Sequence, residues 1–167
     1  MIGSKNILGY LPAALVGLLV IVPPAAAQVK KEAAGQSSKR TAADKKTHNL
    51  VLQVNTNEPA TMNLALNNAT NVAQYYKDLG QKVAIEIVTF GPGLHMLRDD
   101  TSPVKARIET LALSTPEISF KACGNTRENM TKAESKEIPL IPQAQVVKSG
   151  VVRISELQEQ GWSYVRP

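Results

Sequence analysis

Hydrophobic residues from position 48 onward follow two spacings along the chain, which predict strands that alternate with helices. Two nearly continuous apolar runs are typical of strands buried on both faces of a sheet, and a third run alternates apolar and polar residues. Glycine, proline or asparagine follows each of these three runs and predicts the turn that ends it. The predicted strands cover 48–54, 82–90, 118–122, 146–147 and 162–165.

Apolar residues at helical spacing fill most of the segments between these strands. Gly80 is predicted to stop the first helix, and Asp99 and Asp100 are predicted to cap the second one. The predicted helices cover 62–79, 99–111 and 151–161, with a turn or short helix at 95–97 and an exposed helix or loop at 127–136.

Strands that alternate with helices and are too apolar to face water predict an α/β fold, in which helices cover both sides of a parallel sheet. In open parallel sheets, binding and catalytic sites collect where strands end and loops begin. Three such ends can be located in this sequence, at 55–59, 90–93 and 122–126.

The first 27 residues have the pattern of a cleaved secretion signal. Lys5 supplies a positive start, 7–22 is an apolar run, and 25–27 is a small-residue cleavage site after two prolines. An uncleaved membrane anchor is the competing interpretation, but the run is shorter than the roughly 20 residues that a spanning helix needs. We therefore expect a periplasmic protein that begins at Gln28 and has no stable membrane anchor.

Residues 28–47 are basic and poor in apolar side chains, so we expect a disordered linker. This linker is either a solvated spacer or a contact for anionic lipid or another acidic surface. It carries most of the surplus charge, because 48–167 contains twelve basic and twelve acidic residues against 19 and 14 in the whole chain. The predicted domain at 48–167 therefore has no basic surplus, and nucleic-acid binding loses its main support.

Cys123 is the only cysteine of the chain, so it has no partner for an intramolecular disulfide. It lies between the third predicted strand and a predicted helix start, where free backbone N–H groups and the helix dipole favour an anion. Because a thiolate is an anion, this position is expected to lower the pKa of the thiol and raise its reactivity. The alternative is a buried cysteine that serves only as a small apolar side chain.

The residues beside this cysteine are candidates to support its chemistry. Gly124 allows close approach, and Asn125 or Thr126 is predicted to cap the following helix. Lys121 and Arg127 add positive charge nearby, although the sequence does not assign the Lys121 side chain to a face of the sheet.

A second candidate group follows the second strand and comprises Gly91, Pro92, Gly93 and His95. The glycines have neither Walker nor dinucleotide-binding spacing, so no nucleotide cofactor is predicted. His95, near Arg98, is either a group that binds an anion or assists a thiol, or a polar surface residue. Two histidines and one cysteine far apart in sequence argue against a closed zinc site, so neither a metal nor a cofactor is predicted.

Three segments together resemble an exported member of the DsrE/DsrF-like family: Phe120–Thr126, Phe90–Leu97, and Gly150–Arg153 with Leu157–Trp162. The resemblance covers 48–167 and implies a three-layer α/β/α sandwich around a mostly parallel sheet of about five strands. It also implies a homotrimer or homohexamer that relays sulfur as a persulfide on a cysteine matching Cys123. Sulfur donor and acceptor proteins would then be its partners.

The leading hypothesis is a periplasmic sulfur carrier. In it, the Cys123 thiolate attacks a sulfane sulfur or persulfide donor, holds the sulfur covalently and passes it to an acceptor thiol. A second hypothesis is a homo-oligomeric binding or scaffold module of the same fold, in which the cysteine is a spectator. A third is a redox sensor that forms an intermolecular disulfide, and the sequence does not choose between this sensor and the carrier.

Overall fold

The computed structural model describes residues 47–167. The predicted signal at 1–27, and the predicted linker up to residue 46, lie outside the described residues. The first described strand begins at Thr47, one residue before the predicted start of the domain.

Strands and helices alternate along the described chain as the hydrophobic pattern predicts. In chain order the elements are β1 (Thr47–Val54), α1 (Pro59–Asp78), β2 (Lys82–Thr89), a 3-10 helix (Gly91–Leu97), α2 (Lys105–Ser114), β3 (Ile118–Cys123), α3 (Gly124–Glu134), β4 (Ala144–Val147), α4 (Gly150–Glu159) and β5 (Ser163–Val165).

The five strands form one sheet in the order β4-β3-β2-β1-β5, and every neighbouring pair is parallel. The predicted α/β fold with a parallel sheet is therefore confirmed. Because parallel strands end on the same side, the three predicted strand ends at 55–59, 90–93 and 122–126 meet along one edge of the sheet.

The larger core lies between one face of the sheet and the helices α1 and α2, with the 3-10 helix beside them. Leu52, Ile87 and Phe120 pair in register across the three central strands and are fully buried there. Met62 from α1 and Ile108 from α2 pack in the same core. These strands are almost wholly apolar on this face because removing that surface from water is the main favourable term in folding.

The smaller core lies on the opposite face, under α4. Ile154 and Leu157 of this helix pack with Val51 and Val88 of the sheet. Helices therefore cover both faces, which makes the three-layer sandwich, and α4 places its amino-terminal end near the edge where the strands end.

A buried carboxylate fixes α4 on the sheet. Glu86 lies on this face of β2, and its carboxylate accepts hydrogen bonds from the Arg153 guanidinium at 3.0 and 2.6 Å. The Lys121 ammonium lies 3.8 Å from the same carboxylate. A charge this deeply buried is stable only with such partners, so the ion pair specifies where α4 sits.

The second predicted helix begins later than the sequence indicated. Asp99 and Asp100 do not cap α2, which starts at Lys105 with Val104 as its N-cap. Each carboxylate instead binds a cation: Asp99 pairs with Lys105, and Asp100 pairs with Arg98. The prediction of an aspartate cap was therefore wrong, because the N-cap position lies four residues after Asp100, at Val104.

Among residues 47–167, no helix combines the length and the apolar character that crossing a membrane requires.

Candidate functional site

Cys123 is the last residue of β3 and the N-cap of α3. It pairs in register with Val147 of β4, on the face of the sheet that α4 covers. Only 4% of the residue is exposed. The thiol is therefore enclosed where three elements meet: the end of β3 and the starts of α3 and α4.

The sulfur lies among hydrogen-bond donors from two helix starts. Burial by itself raises the pKa of the Cys123 thiol, whereas interactions with the Thr126 hydroxyl and with the backbone N–H groups of Gly150, Thr126 and Asn125 lower it. These donors outweigh burial, so the pKa lies below its usual value. The first N–H groups of a helix have no partner within the helix and carry its positive dipole end, which explains why they stabilise an anion here.

The sequence predicted one of these two helix starts beside Cys123, and it predicted the other helix at 151–161 without indicating that its start lies at the sulfur. Gly150 lies 27 residues after Cys123, with α3 and β4 between them. Only the position of β4 beside β3 brings the Gly150 N–H to the sulfur. The available signal was the Ser149-Gly150 step before an amphipathic segment, which is typical of a helix start. That local pattern does not reveal the strand order, which decides what lies beside the start of α4.

The two residues predicted to cap α3 do not do so. Cys123 itself occupies the N-cap position, and Asn125 and Thr126 lie within the first turn. The Asn125 N–H also donates to the Lys148 carbonyl oxygen at 3.1 Å, which connects the α3 start to the segment before α4. Gly124 approaches this segment closely, since a Cβ there would lie 3.2 Å from the Val147 carbonyl oxygen.

Thr126 connects the two predicted strand ends. Its hydroxyl oxygen accepts a hydrogen bond from the Gly91 N–H at 3.0 Å. The hydroxyl hydrogen remains available to a second acceptor, and the interaction of this hydroxyl with the Cys123 thiol lowers the pKa of that thiol. The segment after β2 thus fixes the position of the Thr126 hydroxyl through a backbone N–H.

The chain around Gly93 packs against the end of β1. A Cβ at Gly93 would lie 2.1 Å from the Val54 carbonyl oxygen, so only glycine fits. Pro92 lies at the first turn of the 3-10 helix and lines the cleft described next. The glycine-rich segment therefore has a packing role that positions its Gly91 N–H.

A cleft of about 410 Å³ opens beside the site, between the 3-10 helix and α3. His95 lies in it, and its Nδ1 is 2.8 Å from the Thr101 hydroxyl oxygen. The lining residues are Gly91, Pro92, His95, Thr126, Asn129, Met130 and Ala133. The structure thus brings the predicted Gly91, Pro92 and His95 to the same cleft as Thr126.

The two cations near Cys123 in sequence are engaged elsewhere. Lys121 lies on the α4 face and binds Glu86 and Gln145. Arg127 donates to the Ile138 carbonyl oxygen at 2.9 Å and pairs with Glu137. Backbone and hydroxyl dipoles, rather than these cations, therefore favour the thiolate.

Arg98 holds the far end of α3 against the 3-10 helix. It is 1% exposed, and its guanidinium pairs with Asp100 at 2.8 Å and Glu134 at 2.5 Å. Hydrogen bonds from Arg98 lower the pKa of Glu134 to about 2 and hold that of Asp100 well below its usual range, although burial opposes both shifts. Since Arg98 is fully engaged, it does not join His95 as an anion ligand.

Within the described residues, no group of three or more histidine, cysteine, aspartate or glutamate side chains is arranged to hold a metal ion.

No protein-family model and no curated protein matches the sequence of this chain. Among solved structures, the chain is similar to MTH1491 from Methanobacterium thermoautotrophicum, whose title calls it a protein of unknown function. The two are 29% identical with a TM-score of 0.59, and the match covers 72% of this chain and 99% of that one. This similarity supports the α/β fold with its parallel sheet.

Proposed function

We propose that this protein carries sulfane sulfur as a persulfide on Cys123. The observation that carries the proposal is the convergence of two helix starts and one hydroxyl on a single enclosed sulfur. Such an arrangement favours the thiolate, which is the nucleophilic form of cysteine. The persulfide is also an anion at its outer sulfur, so the same helix dipoles favour the loaded form.

The proposed transfer needs no net oxidant or reductant. The Cys123 thiolate attacks the outer sulfur of a donor R–S–SH, the donor S–S bond breaks, and R–S⁻ leaves as Cys123–S–SH forms. In the second step an acceptor thiolate attacks the outer sulfur of Cys123–S–SH. That attack restores the Cys123 thiolate and yields the acceptor persulfide.

Burial of the cysteine favours a carrier over a redox sensor. An intermolecular disulfide would require a sulfur of another protein to come within about 2 Å of Sγ, with both chains in a specific geometry. With 4% of Cys123 exposed, a small sulfur species reaches the thiol with far less rearrangement than a second protein does.

The setting of this activity is part of the same proposal. The leader pattern supports a periplasmic location, and the DsrE/DsrF-like resemblance supports a homotrimer or homohexamer that passes its sulfur to an acceptor protein. Three exposed valines near the site, on β4 and at the start of α4, are suited to contact another chain: Val146, Val151 and Val152.

Anaerobic incubation with inorganic polysulfide, followed by mass spectrometry, tests the function directly. We expect the mass of one sulfur atom to be added at Cys123 and then removed by an acceptor thiol. The matched control is Cys123→Ser, which keeps a small polar N-cap and therefore the fold, and which takes up no sulfur. A folded wild type that gains no sulfur would support the scaffold module, and a covalent dimer under mild oxidant would support the sensor.

A further inference from the structure

We propose that the cleft between the 3-10 helix and α3 binds the sulfur donor, and that this donor is a small organic persulfide. The inference rests on the proposed function and specifies its substrate class. Its lining residues include Thr126, which lies in the first turn of α3, three residues after Cys123. The cleft therefore reaches the start of the helix that Cys123 caps.

The size of the cleft suits a small molecule. Its volume of about 410 Å³ falls in the range of roughly 300–1,000 Å³ that is typical of small-ligand pockets. A protein donor would instead need a stable contact of roughly 800 Å² on each partner and would have to insert its sulfur past an enclosed cysteine. The volume of the cleft and the burial of Cys123 therefore favour a free persulfide over one carried on a protein.

The chemistry of the lining fits an organic framework with a few polar groups. Pro92, Met130 and Ala133 offer apolar surface, while His95 and Asn129 offer polar atoms. The contact between His95 Nδ1 and the Thr101 hydroxyl leaves Nε2 as the ring nitrogen available to a ligand. Mostly apolar walls with a small number of placed polar groups are the general composition of small-ligand sites.

Charge also distinguishes this cleft from the groove on the other side of α3. Among the described residues that line the cleft there is no aspartate, glutamate, lysine or arginine, whereas Arg127, Glu128, Lys132 and Glu137 line the second groove. A persulfide anion that enters the cleft therefore meets no carboxylate in its walls. The departing R–S⁻ of the transfer step remains beside His95, which can hydrogen-bond to it.

Loading kinetics with a filled cleft test the inference. Ala133→Phe places a ring in the cleft from an exposed position of α3, and Lys132→Phe places the same ring in the second groove as a control. The probes are cysteine persulfide, as the small organic donor, and inorganic polysulfide. Far-UV circular dichroism and thermal melting establish that each variant is folded.

In the wild type, the rate of sulfur loading from cysteine persulfide should saturate with concentration, because the donor binds before it reacts. Ala133→Phe should lower the rate at low donor concentration by about tenfold, which corresponds to roughly 1.4 kcal/mol of lost binding. Lys132→Phe should stay within about twofold of the wild type with either donor.

Three results would overturn the inference. The first is a wild-type rate that stays proportional to cysteine persulfide concentration, and the second is an Ala133→Phe rate equal to that of the wild type. The third is loading from polysulfide but not from cysteine persulfide, which would leave the carrier function standing with a different donor. Failure of both donors to load Cys123 would instead contradict the proposed function itself.

Discussion

At the scale of single residues, two opposing effects act on the pKa of the Cys123 thiol. Enclosure by the protein disfavours the charged form, and the donors from Thr126, Gly150 and Asn125 favour it more strongly. Among these donors, the Thr126 hydroxyl is the one that belongs to a side chain. Since a side chain can be replaced without moving the backbone, Thr126 is the residue at which the account is most easily tested.

Replacing Thr126 with valine should raise the pKa of the Cys123 thiol, because it removes the hydroxyl and keeps the shape of the side chain. At a fixed neutral pH, the rate of alkylation by iodoacetamide should fall several-fold, since less thiolate is present. The matched control is Thr126→Ser, which keeps the hydroxyl and should react at close to the wild-type rate. An unchanged rate in the valine variant would show that the hydroxyl does not act on the sulfur.

At the scale of elements, the segment after β2 acts on the site through its backbone. Gly93 packs against the end of β1, and this contact places the Gly91 N–H beside Thr126. The glycine-rich segment, predicted as a candidate site, is therefore a closely packed turn. Its Gly91 N–H holds the Thr126 hydroxyl in position.

Gly93→Ala should destabilise the protein by about 3 kcal/mol, because its Cβ would overlap the Val54 carbonyl group and the backbone would have to shift. Gly80→Ala is the comparison, since its Cβ would meet no atom within 4 Å and the cost of about 1 kcal/mol comes from positive φ alone. Urea denaturation measures both values. Equal losses of unfolding free energy in the two variants would mean that the backbone around Gly93 shifts to accept a Cβ at no extra cost.

The ion pair between Arg98 and Glu134 gives the 3-10 helix and α3 a dependence on pH. In the folded protein the pKa of Glu134 falls from its ordinary 4.5 to about 2, chiefly through hydrogen bonds from Arg98. A lowered carboxyl pKa stabilises the fold above the ordinary value, and the contribution is lost as pH falls towards about 2.

Glu134→Gln should therefore be less stable than the wild type at neutral pH, and this difference should shrink below pH 4.5 as the wild-type carboxylate is protonated. Urea denaturation across the acidic range measures the difference. A difference between the two proteins that stays constant down to pH 2 would contradict the ion-pair explanation.

At the scale of the whole molecule, the hydrophobic pattern predicted the strands and helices well. Most of these elements bury apolar residues that recur at the spacing of a strand or of a helix. The strand at 82–90 is observed at Lys82–Thr89, and the helix predicted to stop at Gly80 ends at Asp78. The parallel sheet followed from the alternation of these elements.

The site was only partly predictable, because its geometry depends on strand order and on competing ion pairs. The position of Cys123 between β3 and α3 could be read from adjacent residues. Gly150 could not, since β4 had to lie beside β3 before α4 could reach the sulfur. Nor could the face of Lys121 be assigned until its contacts with Glu86 and Gln145 were known.

The fold brings the starts of α3 and α4 together at the Cys123 sulfur, and this arrangement favours the thiolate over the neutral thiol. The measurement that tests this claim most directly is the pKa of Cys123 from pH-dependent alkylation, in the native protein and in denaturant. We predict a native pKa below the unfolded value, with full labelling of the native protein. A native pKa equal to or above the unfolded one, or a thiol that reacts only after unfolding, would contradict the account.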